Sequence, residues 1–269
     1  MTQQWKFTAL EFIVLCEQYR EGSLPTPFLF VTDEVVMADD LARRKRAAWE
    51  DLRRRLGGSF DGAIQVLTAP ELFVRVRSWD EQDENNMSKQ YHLHAARAGA
   101  LGYLFEQRPG LLTYDTPAFT VTECDPRGLA NAVVDRLPQV EAGRSQDIPI
   151  VTDPAEHITP TWGTSYVRDD RDSSPVYQTQ QFFQRRADCT GSIIVVQGRS
   201  KYGPRGIHET KMMWRDVADD GRYLMSLDGA PIAVATGRRQ LTERIQRDID
   251  HLMQRLETHW EDGRVVDRY

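Results

Sequence analysis

The amino-acid sequence predicts an α+β fold in which a central antiparallel sheet is flanked by helices. Apolar residues follow helical spacing in much of the first 69 residues, and residues 72–77 then alternate with the period of two that is typical of a strand. The segments 219–221 and 228–229 read Asp-Asp-Gly and Asp-Gly, which are turn sequences of β-hairpins and therefore indicate antiparallel neighbours. The chain ends with a second region of helical spacing. Together these observations favour a sheet built from hairpins with helices packed on it.

Three helices are predicted before the first long strand. Residues 8–11 read Thr-Ala-Leu-Glu, the spacing of a capping box, so we expect a helix over residues 9–20. A second helix is expected over residues 39–56, because acids lie at its start and arginines at its end, where both favour the helix dipole. A short third helix is expected over residues 61–69 and stops at Pro70.

The remaining elements are predicted from the same periodicities. The expected strands are residues 72–77, 91–97, 101–107, 111–114, 119–122, 192–196, 208–217, 222–227 and 232–235. The expected helices are residues 126–137, 177–187 and 239–260, and residues 138–175 are expected to form a long connection with little regular structure. One apolar stripe should be buried along the closing helix: Leu241, Ile245, Ile249, Leu252 and Leu256.

The order of the elements repeats within the chain. Residues 61–137 and 176–256 each contain a short helix, a strand, a variable loop, three further strands and a closing amphipathic helix. The closing helices match at a constant offset of 112 residues. We therefore expect one domain over residues 1–269, with two halves related by a pseudo-twofold axis. Pairing of the halves in one continuous sheet would hide two sheet edges.

Composition excludes several classes of protein. The chain has 269 residues, 34 basic and 40 acidic side chains, and a net charge of −6, which argues against a general nucleic-acid binder. We find no apolar run of the roughly 20 residues that span a bilayer, and the apolar stretch at residues 10–16 is interpreted as a buried helix, not a signal peptide. The three cysteines are far apart, which favours reduced thiols in a cytoplasmic protein.

We find no convincing catalytic, metal or cofactor site in the sequence. His92 and His94 share one face of a strand, but two ligands do not define a zinc site, and structural histidines are the simpler interpretation. The glycines at 198 and 203 lack the Lys-Ser/Thr of a phosphate loop and lie between two predicted strands. The seven basic residues within residues 43–55 are accompanied by acids, as on a solvated helix face, although an RNA-binding strip is a competing interpretation.

Several motifs, taken in order, resemble the EspG family, the chaperones of actinobacterial type VII (ESX) secretion systems. The motifs are residues 7–12 (FTALEF), 47–49 (AAW), 143–149 (GRSQDIP), 190–192 (TGS), 214–216 (WRD), 219–224 (DDGRYL) and the closing helix. This resemblance implies an antiparallel sheet with helical bundles on its flanks and a pseudo-twofold relation between halves. It also implies a cytoplasmic, non-enzymatic protein without a cofactor, which binds the helical tip of a PPE protein in its PE–PPE heterodimer and keeps it soluble for export.

The resemblance also indicates where a partner would bind. In the family, the loop after the first long strand and the C-terminal helices contribute to docking. We therefore expect these partner-binding residues: Trp79, Asp80, Glu81, Asp83, Glu84, Met87, Met213, Gln240, Arg244 and Arg247. Repulsion among the four acids is expected to extend the loop. The competing hypothesis is a small-molecule-binding enzyme on an unfamiliar α+β scaffold, which a cleft with converging titratable groups would favour.

Overall fold

The computed structural model describes residues 3–20, 24–152, 174–227 and 231–266. Within these residues, ten strands form one sheet in which neighbouring strands are antiparallel. The strands are β1 (Gln4–Thr8), β2 (Leu72–Trp79), β3 (Tyr91–Ala98), β4 (Leu101–Gln107), β5 (Pro117–Glu123), β6 (Ile148–Pro149), β7 (Ala187–Gln197), β8 (Glu209–Val217), β9 (Gly221–Ser226) and β10 (Ile232–Ala235). The helices are α1 (Ala9–Tyr19), α2 (Ala38–Leu56), α3 (Asp61–Thr68), α4 (Leu129–Val134), α5 (Pro175–Gln184) and α6 (Arg238–Val266).

The two halves of the chain use the same strand order. The sheet runs β1-β5-β4-β3-β2-β7-β8-β9-β10-β6, so β2 to β5 extend one way from the centre and β7 to β10 extend the other way. The antiparallel pair β2–β7 joins the halves. This order agrees with the repeat seen in the sequence. The pseudo-twofold relation itself stays a prediction: residues 71–137 should superpose on residues 189–256.

The sheet has two faces with different coverings. Helices α4 and α6 pack on one of them, here called the α6 face, over a core that draws on both halves of the sheet. The opposite face, called the α5 face, carries α1 to α3 over the first half of the sheet. Over the second half it carries α5, whose Phe182 packs on β8, β9 and β10.

Local signals account for the well-predicted elements. The amide of Thr8 donates to Glu11 Oε2 at 2.7 Å and the amide of Glu11 donates to Thr8 Oγ1 at 3.2 Å, so the capping box at α1 is confirmed. Asp219 has a φ of 61° in the turn between β8 and β9, a left-handed conformation that aspartate tolerates better than most residues. The Asp228-Gly229 turn lies outside the described residues.

The structure corrects the sequence prediction at both ends of β5. Residues 111–114 are not a strand. They follow Gly110, whose φ is 107°, and lead into a turn in which the Thr116 amide donates to the Thr113 carbonyl. The predicted helix over residues 126–137 is a 3-10 turn over Pro126–Gly128 followed by the shorter α4.

Strand β1 was not predicted. It pairs with β5 along the edge of the sheet and buries Trp5 and Phe7 while Gln4 and Lys6 face outward. Arg55 of α2 donates to the carbonyl of Lys6 at this edge. A long side chain on an edge strand discourages pairing with another chain.

The apolar stripe of α6 is buried as predicted. Its members have exposed fractions of at most 5%: Leu241, Ile245, Ile249, Leu252 and Leu256. The first four lie in the shared core on the α6 face. Ile249, which is 1% exposed, lies near the middle of the stripe.

We predict that Ile249→Asp lowers the free energy of unfolding by several kcal/mol, on the order of 3 kcal/mol or more, because it forces an unpaired carboxylate into this core. The matched control is His251→Asp, at an exposed position of the same helix. Urea unfolding followed by circular dichroism compares the two. Equal midpoints for Ile249→Asp and the parent protein would show that α6 is not packed on the sheet.

Candidate functional site

The loop between β2 and β3 is compact, which contradicts the expectation that its acids extend it. Successive backbone hydrogen bonds close it into turns, from Asp83 to the Asp80 carbonyl and from Asn86 to the Asp83 carbonyl. Lys89 pairs with Asp80 at 2.7 Å and with Asp83 at 3.2 Å. Because a cation lies between these two carboxylates, their repulsion is relieved, and hydrogen bonds from Lys89 lower the pKa of Asp80.

Glu81 leaves this tip and reaches the α5 face. Its two carboxylate oxygens accept from Arg215 Nε and Nη2, each at 2.6 Å, and Oε1 also accepts from the Thr190 hydroxyl. Burial favours the neutral carboxyl, but the hydrogen bonds from Arg215 and Thr190 outweigh it, so the pKa of Glu81 is lowered. Glu81 is therefore an internal ion-pair partner, and its charge is already engaged before any partner binds.

Trp79 and Met87 lie at the two ends of the loop. The Arg77 guanidinium lies 5.6 Å from the centre of the Trp79 ring, a cation–π contact on the α5 face. Beside them is a small cavity of about 230 Å³, lined by Arg77, Trp79, Glu84, Asn85 and Gln90. Met87 is half-buried, and its carbonyl accepts from the Gly110 amide at 2.9 Å. Trp79 remains partly accessible at the end of β2.

Met213 lies on the α5 face, away from α6. It is half-buried and packs against the cluster around Phe182, Tyr223 and Met225. The neighbouring Trp214 points to the α6 face and is fully buried, as expected for the alternation along a strand. Met213 is thus on the same face as Trp79, but much of its side chain is packed against that cluster.

The predicted residues of α6 lie beside an exposed apolar ledge. Arg244 Nη2 approaches Ser226 Oγ at 3.5 Å, which places this side of α6 over the end of β9. Gln240 and Arg247 are four and three residues away and share that side of the helix. On the neighbouring strand β10, Ile232 is 46% exposed and Val234 is 41% exposed. Val234 pairs with Leu224, a member of the core under α6, so both ledge residues face the α6 side.

Sequence reasoning missed the ledge itself. The sequence of residues 232–235 is entirely apolar, as in a strand that is buried on both faces. Only Ala233 is fully buried, in the cluster on the α5 face. The exposure of Ile232 and Val234 follows from where α6 crosses the sheet, which no local pattern reveals.

The remaining candidate sites have structural explanations. His94 is 3% exposed, its Nδ1 lies 2.8 Å from the Thr26 carbonyl, its ring stacks on Phe73, and burial lowers its pKa to about 4. Burial likewise lowers the pKa of His92 to about 4. In the described part of the chain, no group of three or more His, Cys, Asp or Glu residues could hold a metal ion.

The basic stretch of α2 is largely paired with acids. The pairs are Arg43 with Asp40, Arg44 with Glu34 and Asp115, Lys45 with Glu17, Arg54 with Asp51, and Arg55 with Glu11. A strip whose charges are neutralised internally releases few counterions from a nucleic acid. This arrangement is that of a solvated helix face.

A groove of about 530 Å³ lies on the outer part of the first half of the sheet, between β1 and β4. Its acid, Glu106, already accepts from the Tyr91 hydroxyl at 2.9 Å and from Arg136 at 3.1 Å. None of the helices described here is long and apolar enough to cross a membrane.

Comparison with known proteins identifies the family. The sequence profile of the EspG family matches residues 8–247, a range that includes both the loop and the ledge. The chain belongs to the EspG family. No curated protein matches it.

This EspG chain also has a structural relative among solved proteins. It is similar to the Mycobacterium tuberculosis type VII secretion system chaperone EspG5, solved in complex with a PE25–PPE41 dimer. The TM-score is 0.55, the sequence identity is 11%, and the match covers 92% of this chain and 96% of that chain. At this identity the likeness shows a shared fold.

The Glu81–Arg215 pair predicts a pH dependence of stability. Because the pKa of Glu81 is lowered in the folded protein, its contribution is present at neutral pH and is lost as the pH falls through that pKa. We expect the melting temperature of the Glu81→Gln variant to lie below that of the parent at pH 7 and to converge with it towards pH 3. Differential scanning calorimetry across this range measures both. The control is Glu84→Gln, an exposed acid of the same loop, whose curve should follow the parent. If the melting temperatures of Glu81→Gln and the parent change in parallel with pH, the pair does not contribute to the stability of the fold.

Proposed function

We propose that this EspG protein acts in the cytoplasm as a chaperone of a type VII secretion system, where it binds a PE–PPE heterodimer through the helical tip of the PPE subunit and keeps it soluble for export. Membership of the EspG family supports this function. The fold shared with a chaperone solved on a PE–PPE dimer supports it as well. In this role the protein needs a binding surface and no catalytic group.

The observation that carries the proposal is the ledge. Ile232 and Val234 are β-branched residues with more than two fifths of their surface exposed, next to the polar side of α6. An apolar centre with a polar rim is the usual composition of a protein-binding surface.

The rim of the ledge is basic. Arg244 lies beside the ledge over Ser226 and pairs with Asp248 at 3.2 Å, and the exposed Arg247 follows three residues later on the same side of α6. The carbonyl groups at the C-terminal end of a helix carry a partial negative charge. Arginines at this position therefore suit the end of a partner helix that presents free carbonyls, and they disfavour a cationic tip.

The loop provides a second contact. Trp79, on the α5 face, is separated from Ala235 at the end of β10 by four strand spacings, which is about 19 Å at about 4.8 Å per spacing. The ledge faces the α6 side, so a partner that contacts both has to extend around the ends of the strands. The end of one helix, about 10 Å across, does not reach both, whereas the end of a helix pair does. We assign the ledge to affinity and the acidic loop, with Trp79, to orientation and association rate.

The first test replaces the two apolar ledge residues with threonine, which is also β-branched but polar. We expect Ile232→Thr combined with Val234→Thr to weaken binding by roughly 30-fold, because about 2 kcal/mol of apolar burial is lost. Folding should be unaffected. The control is Val35→Thr, at a position that is 94% exposed and lies before α2. Surface plasmon resonance against a PE–PPE heterodimer encoded beside this protein gives the affinities. Unchanged affinity for the double variant would show that the helical tip of the PPE subunit does not bind at the ledge.

The second test separates charge from anchoring in the loop. Glu84→Lys should slow association at low salt and flatten its salt dependence, since steering charges act mainly on the on-rate. The other three acids stay unchanged because reversing them would place a second cation beside Lys89 or Arg215. Trp79→Ala should instead raise the off-rate if the ring is an anchor. Parent kinetics for both variants at two salt concentrations would exclude the loop from the interface.

A further inference from the structure

Arg215 connects three distant parts of the chain. It lies on β8 and is 1% exposed. Its guanidinium donates to both carboxylate oxygens of Glu81 in the β2–β3 loop, at 2.6 Å each. It also donates to the carbonyl of Phe182 at 2.7 Å and to that of Arg185 at 3.0 Å, at the C-terminal end of α5. One side chain thus satisfies a carboxylate on the loop and two carbonyls at a helix end.

The surroundings make these hydrogen bonds strong and hard to replace. The rings of Phe182 and Phe183 lie 5.0 Å and 5.1 Å from the guanidinium carbon and exclude water from it. The last carbonyls of a helix have no partner within the helix and carry partial negative charge. The planar fork of arginine reaches a carboxylate and carbonyls at the same time, which the single ammonium of lysine cannot do.

We propose that Arg215, through Glu81, is a positioning residue that holds the β2–β3 loop and α5 as one unit, so that Trp79 is presented to the partner in a fixed place. The presentation of Trp79 to a partner rests on the proposed function. The connection of the loop to α5 through Arg215 does not depend on it.

Two observations give the pair a positioning role in addition to its contribution to stability. Glu81 is two residues from Trp79, and Thr190, which pairs with Trp79 across the sheet, also donates to Glu81. The ion pair is outside the main apolar core, which lies under α6 on the other face. A loop that is already ordered before binding loses less conformational entropy when the partner docks. The affinity for the partner is therefore higher than with a flexible loop.

The test follows Trp79 directly in the free protein. The six tryptophans are replaced with 5-fluorotryptophan, and the 19F resonance of Trp79 is assigned with Trp79→Phe. The test variants are Glu81→Gln, which removes the charge and keeps the shape, and Arg215→Lys, which keeps the charge and removes the fork. The control is Glu50→Gln, which makes the same charge change on an exposed acid of α2, outside both the loop and α5.

We expect both test variants to shift or broaden the Trp79 resonance and to speed amide exchange in residues 80–90 and 175–184. The resonance of Trp5, in the separate core under α1 to α3, and exchange in α6 should stay as in the parent. The control should match the parent throughout. An unmoved Trp79 resonance with unchanged exchange in Glu81→Gln would overturn the proposal, as would loosening of α6 to the same extent.

A second arm measures the consequence for binding. Surface plasmon resonance with the PE–PPE heterodimer should show an off-rate raised about tenfold for the two test variants and unchanged for Glu50→Gln. A loosened loop with parent kinetics would contradict its role in presenting Trp79. If the parent protein does not bind PE–PPE, the proposed function fails, while the 19F arm still decides the connection between the loop and α5.

Discussion

Strands β2 and β7 pair along their length, from Leu72–Gln197 to Trp79–Thr190, and this pairing joins the two halves of the sheet. The side chains that it aligns on the α6 face are fully buried, among them Val74, Val76, Ile193 and Val195. Helix α6 lies across them. The position of α6 relative to β10, and hence the ledge, follows from this central contact. The loop after β2 is placed by the same pairing, because Trp79 ends the strand opposite Thr190.

Two buried arginines stabilise the end of the sheet where the loop lies, one on each face. Arg222 pairs with Asp216 on the α6 face, with atom distances of 2.6 Å and 2.8 Å, and both side chains are almost fully buried. Arg215 pairs with Glu81 on the α5 face. Burying two charges costs desolvation free energy, and the attraction between them often does no more than offset this cost. The main effect of such a pair is therefore to favour one arrangement of the chain over others. Here that arrangement fixes the turn between β8 and β9 on one side and the β2–β3 loop on the other.

The sequence predicted the elements whose signals are local. The capping box at Thr8, the buried stripe of α6 and the turn at Asp219 depend on residues a few positions apart, and all three are confirmed. Strand β1 was missed because it has two apolar residues and runs directly into α1, and its partner β5 is more than a hundred residues away.

The form of the loop could not be predicted for the same reason. Its acids are neutralised by Lys89 nearby and by Arg215, which lies 134 residues from Glu81 in the sequence. Charge counted along a loop is therefore a poor guide to whether the loop is extended, because the partners that decide its form come from the folded sheet.

The first half of the sheet offers a comparison for the exposed ledge. Leu104 pairs with Thr122 on β5 and Leu224 pairs with Val234 on β10, and both leucines belong to the core on the α6 face. Thr122 is 9% exposed, because it pairs with Gln4 of β1 and its hydroxyl accepts from the Gln4 side chain at 3.2 Å. Val234 is 41% exposed, and in the described residues the outer strand β6 pairs with Ile232 and Ala233 and stops short of it. The ledge is therefore exposed where the second half has a shorter outer strand than the first, which is a difference in the ends of the sheet and not in the residues of β10 alone.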